Sequence, residues 1–223
     1  MNTFISKTFF LTAVAAFIRV YAALLTYSEI TGDSISYFTE ETTHNESNTT
    51  IILKNDKELY TFNTNNSGAT ISGTILNNKV SSLISIMRNS DNYLKITKDN
   101  KTTIKNIDPD PWYISMNQLR SFVKSSETRK GFWIVSADFD EVKSVEKGIT
   151  AIKFAAIKKG KEDVILQNKI IKAIKITITF TDWKAVFWRS HYWFRLSDGV
   201  MIRSEQVRGG PGTPKTIIEL TNE

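Results

Sequence analysis

Between residues 170 and 180, Ile174, Ile176, Ile178 and Phe180 alternate with Lys175, Thr177 and Thr179. A period of two sends the apolar set to one face of a strand and the polar set to the other, whereas a helix would scatter both around its axis. This is the cleanest strand signal in the chain, and the sequence around it is of the same kind. Residues 34–39 and 50–53 are β-branched and aromatic, which suits a pleated, half-buried surface. Residues 58–63, 69–76, 132–135 and 216–220 read as further strands. Residues 93–97 and 102–105 flank the polar tetrapeptide Lys98-Asp99-Asn100-Lys101, the pattern of a hairpin. Residues 149–157 and 163–167 flank the basic stretch Lys158-Lys159-Gly160-Lys161, which reads as another turn. Residues 42–49 and 63–68 read as polar loops, and residues 80–88 fit helix or strand equally. Short strands at short intervals predict an antiparallel sandwich or barrel.

One segment breaks the pattern. Asp110 is suited to cap a helix and Pro111 to its first position, and Trp112, Met116, Leu119 and Val123 then recur at helical spacing. Tyr113 and Phe122 lie beside that stripe, and Ser125, Ser126 and Gly131 follow as stop signals. An amphipathic stripe of this kind must bury against something.

The chain begins with Lys7 and then eleven uncharged residues, 8–18. That order matches the charged and apolar regions of an export signal. Val20-Tyr21-Ala22 offers the small residues a signal peptidase reads, so residues 1–22 are expected to be a signal peptide cleaved after Ala22, with Ala15 the second choice. Arg19 is atypical there, and it also interrupts the run well short of the roughly 20 apolar residues that a membrane span needs. Residues 23–223 then form one domain, exported to the periplasm or the extracellular space. There is no cysteine, which excludes disulfides, thiolate metal sites and a cysteine nucleophile. Stability must come from the core alone, and the chain is long enough to build one. Removing residues 1–22 takes away Lys7 and Arg19 and no acid, so the net charge falls from +6 to +4. Scattered charge of this size is a solvated surface rather than a nucleic-acid footprint.

The most distinctive segment starts at Trp183 and holds three of the five tryptophans. Residues 183–196 lead into Ser197-Asp198-Gly199 and then Val200-Met201-Ile202-Arg203-Ser204-Glu205. A two-residue turn at Asp198-Gly199 would pair Phe194 with Arg203 and mix polarity on both faces. A three-residue loop with Gly199 left-handed sets Tyr192, Phe194 and Leu196 against Ser204, Ile202 and Val200. Trp193 then meets Arg203, and His191 meets Glu205, on the other face. The second register is expected, because a half-buried hairpin needs a single apolar face.

Tyr192-Trp193-Phe194-Arg195-Leu196-Ser197-Asp198-Gly199, with Arg203 and Gly209-Gly210-Pro211-Gly212-Thr213-Pro214 beyond it, resembles the C-terminal signature of uncharacterised exported bacterial proteins. These look like the LolA/LolB-type lipoprotein-carrier half-barrels. The close match covers about the last 50 residues. The resemblance implies a mainly β (α+β) fold, a curved antiparallel sheet or incomplete barrel with one or more helices on its concave face over an apolar cavity. It carries no catalytic residue across, and it does not imply lipoprotein as the cargo.

The chemistry-bearing residues point the same way. His44 and His191 lack companions at metal or catalytic spacing, so no metal, cofactor or catalytic residue is expected. Asp138, Asp140 and Glu141 cluster without the spacing of a calcium loop, and no Gly-x-Ser-x-Gly elbow is present. The glycines of residues 209–212 read as a connecting turn rather than an anion cradle, since no helix start follows them. What remains is aromatic. Trp112, Tyr113, Met116, Leu119, Trp188, Tyr192 and Phe194 are the candidate lining of a pocket for an apolar or amphipathic small molecule such as a lipid. The competing expectations are that these side chains simply fill the core of an envelope protein that binds a protein partner through its sheet, or that a hydrolase site goes unrecognised. Stacking on single-stranded nucleic acid is disfavoured by the modest charge and the export signal.

Overall fold

The computed structural model describes residues 21–44, 48–54, 58–65, 68–75, 80–88, 93–98, 101–137, 149–186, 188–207 and 213–222. Residues 1–20, the acidic cluster at 138–141 and the glycines at 209–212 lie outside them.

Among the described residues, fifteen strands form one sheet. The first eight are β1 (Tyr21–Thr31), β2 (Ser34–His44), β3 (Asn48–Lys54), β4 (Glu58–Asn65), β5 (Gly68–Ile75), β6 (Val80–Arg88), β7 (Tyr93–Lys98) and β8 (Lys101–Asn106). The two-residue β9 (Trp112–Tyr113) and a short helical segment follow. The remainder are β10 (Arg129–Ala137), β11 (Ile149–Leu166), β12 (Lys169–Phe180), β13 (Arg189–Arg195), β14 (Met201–Val207) and β15 (Lys215–Asn222). Neighbours in the sheet are neighbours in the chain except where β1 pairs with β15, so β8 and β9 are left as the two edges. Pairing is antiparallel throughout save for β9 on β10, which is parallel.

The two edges are joined by residues 107–111 alone, and this forces the sheet to curl. Laid flat, fourteen inter-strand spacings would span about 67 Å. A connector of this length reaches roughly 20 Å when fully extended. The sheet is therefore strongly curved, an incomplete barrel whose edges face each other without a ladder between them. The connector is tied to both sides. Arg88 of β6 donates to the carbonyls of Asp108 (3.1 Å) and Asp110 (3.3 Å). On the other flank the Trp133 indole donates to Asp108 (2.8 Å), and Lys153 of β11 pairs with both Asp108 and Asp110. Gly131 makes room for this, because a Cβ there would collide with the Asp110 carboxylate.

Two apolar clusters fill the interior. The larger joins Leu25 and Tyr27 of β1 to the C-terminal strands, including Ile176, Ile178, Phe194 and Ile202. The smaller joins Ile51, Phe62, Ile86, Leu94 and Ile96 from β3, β4, β6 and β7 to Ile107 and Val135, with Trp112 and Trp133 packed against it. The second cluster is the curl seen from inside: strands far apart in the sheet touch across the concave face.

The strands are longer than the sequence suggests. The expected loops at 42–49 and 63–68 shorten, because β2 and β4 run on to His44 and Asn65. Residues 80–88 are strand β6. The expected hairpin forms, and its strands run one residue further into the polar tetrapeptide than the sequence suggests: Thr97 pairs with Thr102 and Lys98 with Lys101. The expected turn at 158–161 is instead a bulge inside the continuous strand β11. The chain reverses at Gln167-Asn168, whose φ values of 50° and 62° are those of a tight two-residue hairpin turn. The polar face of β12 is not solvated either. Thr177 and Thr179 are buried, Thr177 bonding His191 Nδ1 (3.1 Å) and Thr179 donating to the Trp188 carbonyl (3.1 Å).

Candidate functional site

Residues 116–124 lie on the concave face as a 3-10 turn, Met116–Leu119, running into helix α1, Arg120–Lys124. The cap is Ser115 rather than Asp110. Its hydroxyl accepts from the Asn117 N–H (3.3 Å), while Gln118 Oε1 accepts from the backbone N–H groups of Ser115 (3.0 Å) and Ile114 (2.8 Å). This is a capping box, spelled in the sequence as Ser-x-x-Gln. Leu119, Phe122 and Val123 anchor the segment in the larger cluster. Its far end is held by Lys158, whose ammonium donates to the Ser125 carbonyl (2.5 Å) and sits 4.7 Å from the Phe122 ring centre.

Beneath the turn lies a buried polar network. Asn117 Nδ2 donates to Glu40 Oε1 (2.8 Å) and to the Tyr27 hydroxyl (3.3 Å), and its Oδ1 accepts from the Met201 N–H (3.0 Å). The Tyr27 hydroxyl in turn donates to the Met201 carbonyl (3.0 Å). Glu40 also accepts from Thr42 (3.3 Å) and, on its second oxygen, from Ser115 (3.2 Å). Burial raises the pKa of Glu40, opposed by its bonds to Asn117 and Ser115 and by the charge of Arg120. Burial likewise pushes up the Tyr27 hydroxyl, with Glu40 adding to the effect. Asn117 thus fastens the helical segment to β1, β2 and β14 at once.

Next to this network is a cavity of about 340 Å³ lined by Thr42, Thr49, Ile51, Tyr113, Asn117, Gln118, Arg120 and Ser121. Strand geometry explains the floor: Thr49 and Ile51 share a face of β3, and Thr42 is the ladder partner of Ile51. The roof is the 3-10 turn and the start of α1. Ile51 belongs to the smaller cluster and Tyr113 packs on the larger, so the cavity sits where the two meet. Burial also raises the Tyr113 pKa, against a hydrogen bond with Ser121. Among the described residues, no three His, Asp or Glu side chains gather as a metal site, and no helix is long and apolar enough to cross a membrane.

No protein-family model matches the chain, and neither does any curated protein. Among solved structures, the chain is similar to a DUF1329 family protein from Desulfovibrio piger. That match has 11% identity, covers 93% of this chain and 85% of the other, and has a TM-score of 0.25.

Of the seven residues expected to line a pocket, only Tyr113 lines this cavity. Leu119, Tyr192 and Phe194 are buried in the larger cluster, and Met116 and Trp188 pack against it. Trp112 packs on the smaller cluster instead. The expected stripe of Trp112, Met116, Leu119 and Val123 is therefore split, since Trp112 and Tyr113 pair with Trp133 and Ile134 as strand. Glu40, Asn117 and Arg120 carry no motif. The one available signal is the spacing of Tyr113, Asn117 and Arg120 at i, i+4 and i+7, a second stripe beside the apolar one.

The C-terminal hairpin follows the expected register along most of its length. His191 pairs with Glu205, Tyr192 with Ser204 and Trp193 with Arg203, and Gly199 is left-handed at φ 76°. Beyond Trp193 a bulge shifts the ladder, so Phe194 meets Met201 rather than Ile202. Trp193 lies 5.7 Å from Arg203, the cation–π pair that the sequence predicts, and 4.7 Å from Lys175 on its other side, a pair that it does not.

Proposed function

We propose that the chain is an exported carrier or binding protein for an apolar or amphipathic small molecule, rather than an enzyme, and that it works in the periplasm or outside the cell. The observation that carries this reading is the cavity between the 116–121 segment and strands β2 and β3. Its volume is at the lower end of the roughly 300–1,000 Å³ of small-molecule sites. Its wall combines Ile51 and Tyr113 with hydroxyl and amide groups, the makeup of a site that holds an apolar body and orients a polar end. The resemblance of the C-terminal hairpin to LolA/LolB-type carriers supports the same reading.

A detergent-free preparation studied by native mass spectrometry with organic extraction tests it. The expected result is a co-purifying amphipathic molecule at near-stoichiometric yield, or its uptake from envelope lipids. A chain that stays empty after such incubation would sink the carrier reading. It would favour the second one, a partner-binding envelope protein, which Ile35 and Tyr37 support by lying exposed side by side along the outer face of β2.

A further inference from the structure

Arg120 lines the cavity, yet its Nε and Nη2 atoms are buried and have no hydrogen-bond partner among the described residues. A guanidinium stays charged at any physiological pH and carries five donors. Buried donors of a charged group are among the costliest to leave unsatisfied, and native chains rarely do so without a reason.

The two carboxylates whose charge reaches Arg120 are both committed elsewhere. Glu40 uses its two oxygens on Asn117, Thr42 and Ser115. Asp198 accepts from Arg195 Nε (3.0 Å) and Nη2 (2.5 Å) and from the Val200 N–H (3.0 Å). Neither reaches ion-pair distance of Arg120 among the described residues. Nε and Nη2 form one edge of the guanidinium fork, the edge that grips a carboxylate or phosphate through two parallel bonds.

We propose that Arg120 binds the acidic head group, carboxylate or phosphate, of the ligand that occupies this cavity. The proposal rests on the carrier reading and narrows it to anionic amphiphiles. A wholly apolar ligand would leave the orphaned donors as they are, whereas an anion pairs them. The fork edge is shielded from water, so gripping an anion with it requires the guanidinium to turn toward the cavity that Arg120 lines. The apolar chain then lies against Ile51 and Tyr113. Thr49 and Gln118 border the same space and offer further polar contacts.

The test compares a fluorescent polyene fatty acid with the alcohol of the same chain, using the full chain and the variants Arg120→Met and Arg120→Lys. Wild type is expected to bind the acid about ten-fold or more tighter than the alcohol, the size of one charge-assisted pair. Arg120→Met should erase that preference, so that acid and alcohol bind alike. Arg120→Lys, which keeps the charge and the fold but loses the fork, should retain part of it. Equal binding of acid and alcohol by wild type, or a preference that survives in Arg120→Met, overturns the proposal and leaves the carrier reading standing. Binding of neither probe removes the carrier reading too. Inorganic phosphate that binds alone as tightly as the acid, in an Arg120-dependent way, keeps the anion site but assigns it to a free anion.

Discussion

At the scale of single residues, the interior is organised by polar side chains that look like surface in the sequence. Glu40 stands in a run of Glu, Glu, Thr and Thr, and it is nevertheless 4% exposed. Strand periodicity accounts for this once Phe38 is known to face inward, stacked on Tyr27 at 5.2 Å, because Glu40 and Thr42 must then follow it. The sequence cannot announce Phe38's direction, so Glu40 stays hidden from it. Burial has a measurable consequence. The folded state holds the Glu40 proton to a higher pH than the unfolded chain, whose carboxyl titrates near the ordinary value of 4.5. As pH rises above that value the unfolded chain releases its proton first, so this group's contribution to stability falls. Urea unfolding followed as pH is raised from 4.5 is expected to show wild type losing stability relative to Glu40→Gln. Parallel curves for the two proteins would mean that Glu40 is not desolvated in the folded chain.

At the scale of elements, the strands were largely legible and the reversals were not. Strict alternation located β12, and paired runs located the β7–β8 hairpin. The basic stretch at 158–161 has the composition of a turn, but Lys158 is spent at the end of α1 and the strand continues past it. Gln167-Asn168 turns instead, with no glycine to mark it. The helical segment shows the same ambiguity at its start. Asp110-Pro111 carries a helix-start signal, yet the Pro111 carbonyl accepts from the Trp133 N–H (2.8 Å) and the chain enters a parallel ladder. The actual start is the capping box at Ser115. Ser115→Ala is expected to cost about 1–2 kcal/mol, as the loss of an N-cap does. Amide exchange should quicken at Asn117, whose N–H loses its acceptor. Unchanged exchange there would show that tertiary contacts, not the cap, hold the first turn.

At the scale of the whole molecule, the curl of the sheet is the property from which the cavity follows. The resemblance to half-barrel carriers implies it, while strand patterning alone does not specify it, because it depends on which strands become edges. Local alternation specifies that a strand has an inner face; it does not say that β8 and β9 end at opposite edges of a fifteen-stranded order and one short connector apart in space. Curvature then rests on the connector's ties to both flanks. Lys153 is central to these ties, since it neutralises Asp108 and Asp110 together while lying 5.9 Å from the Trp133 ring centre. Lys153→Met would leave two adjacent carboxylates facing each other at the seam. The expected loss is about 1–2 kcal/mol at low salt, shrinking as salt screens the repulsion. A change at one surface lysine would ordinarily alter exchange only nearby. Here the amides of β7–β8 and of β9–β10 are expected to open together, because both edges depend on the same connector. Lys172→Met removes an exposed pair with Asp163 at the hairpin tip and should alter neither edge. Exchange that quickened at β10 and β11 alone would mean that the edges are held independently, and that the cavity is set by the helical segment's anchors rather than by closure of the sheet.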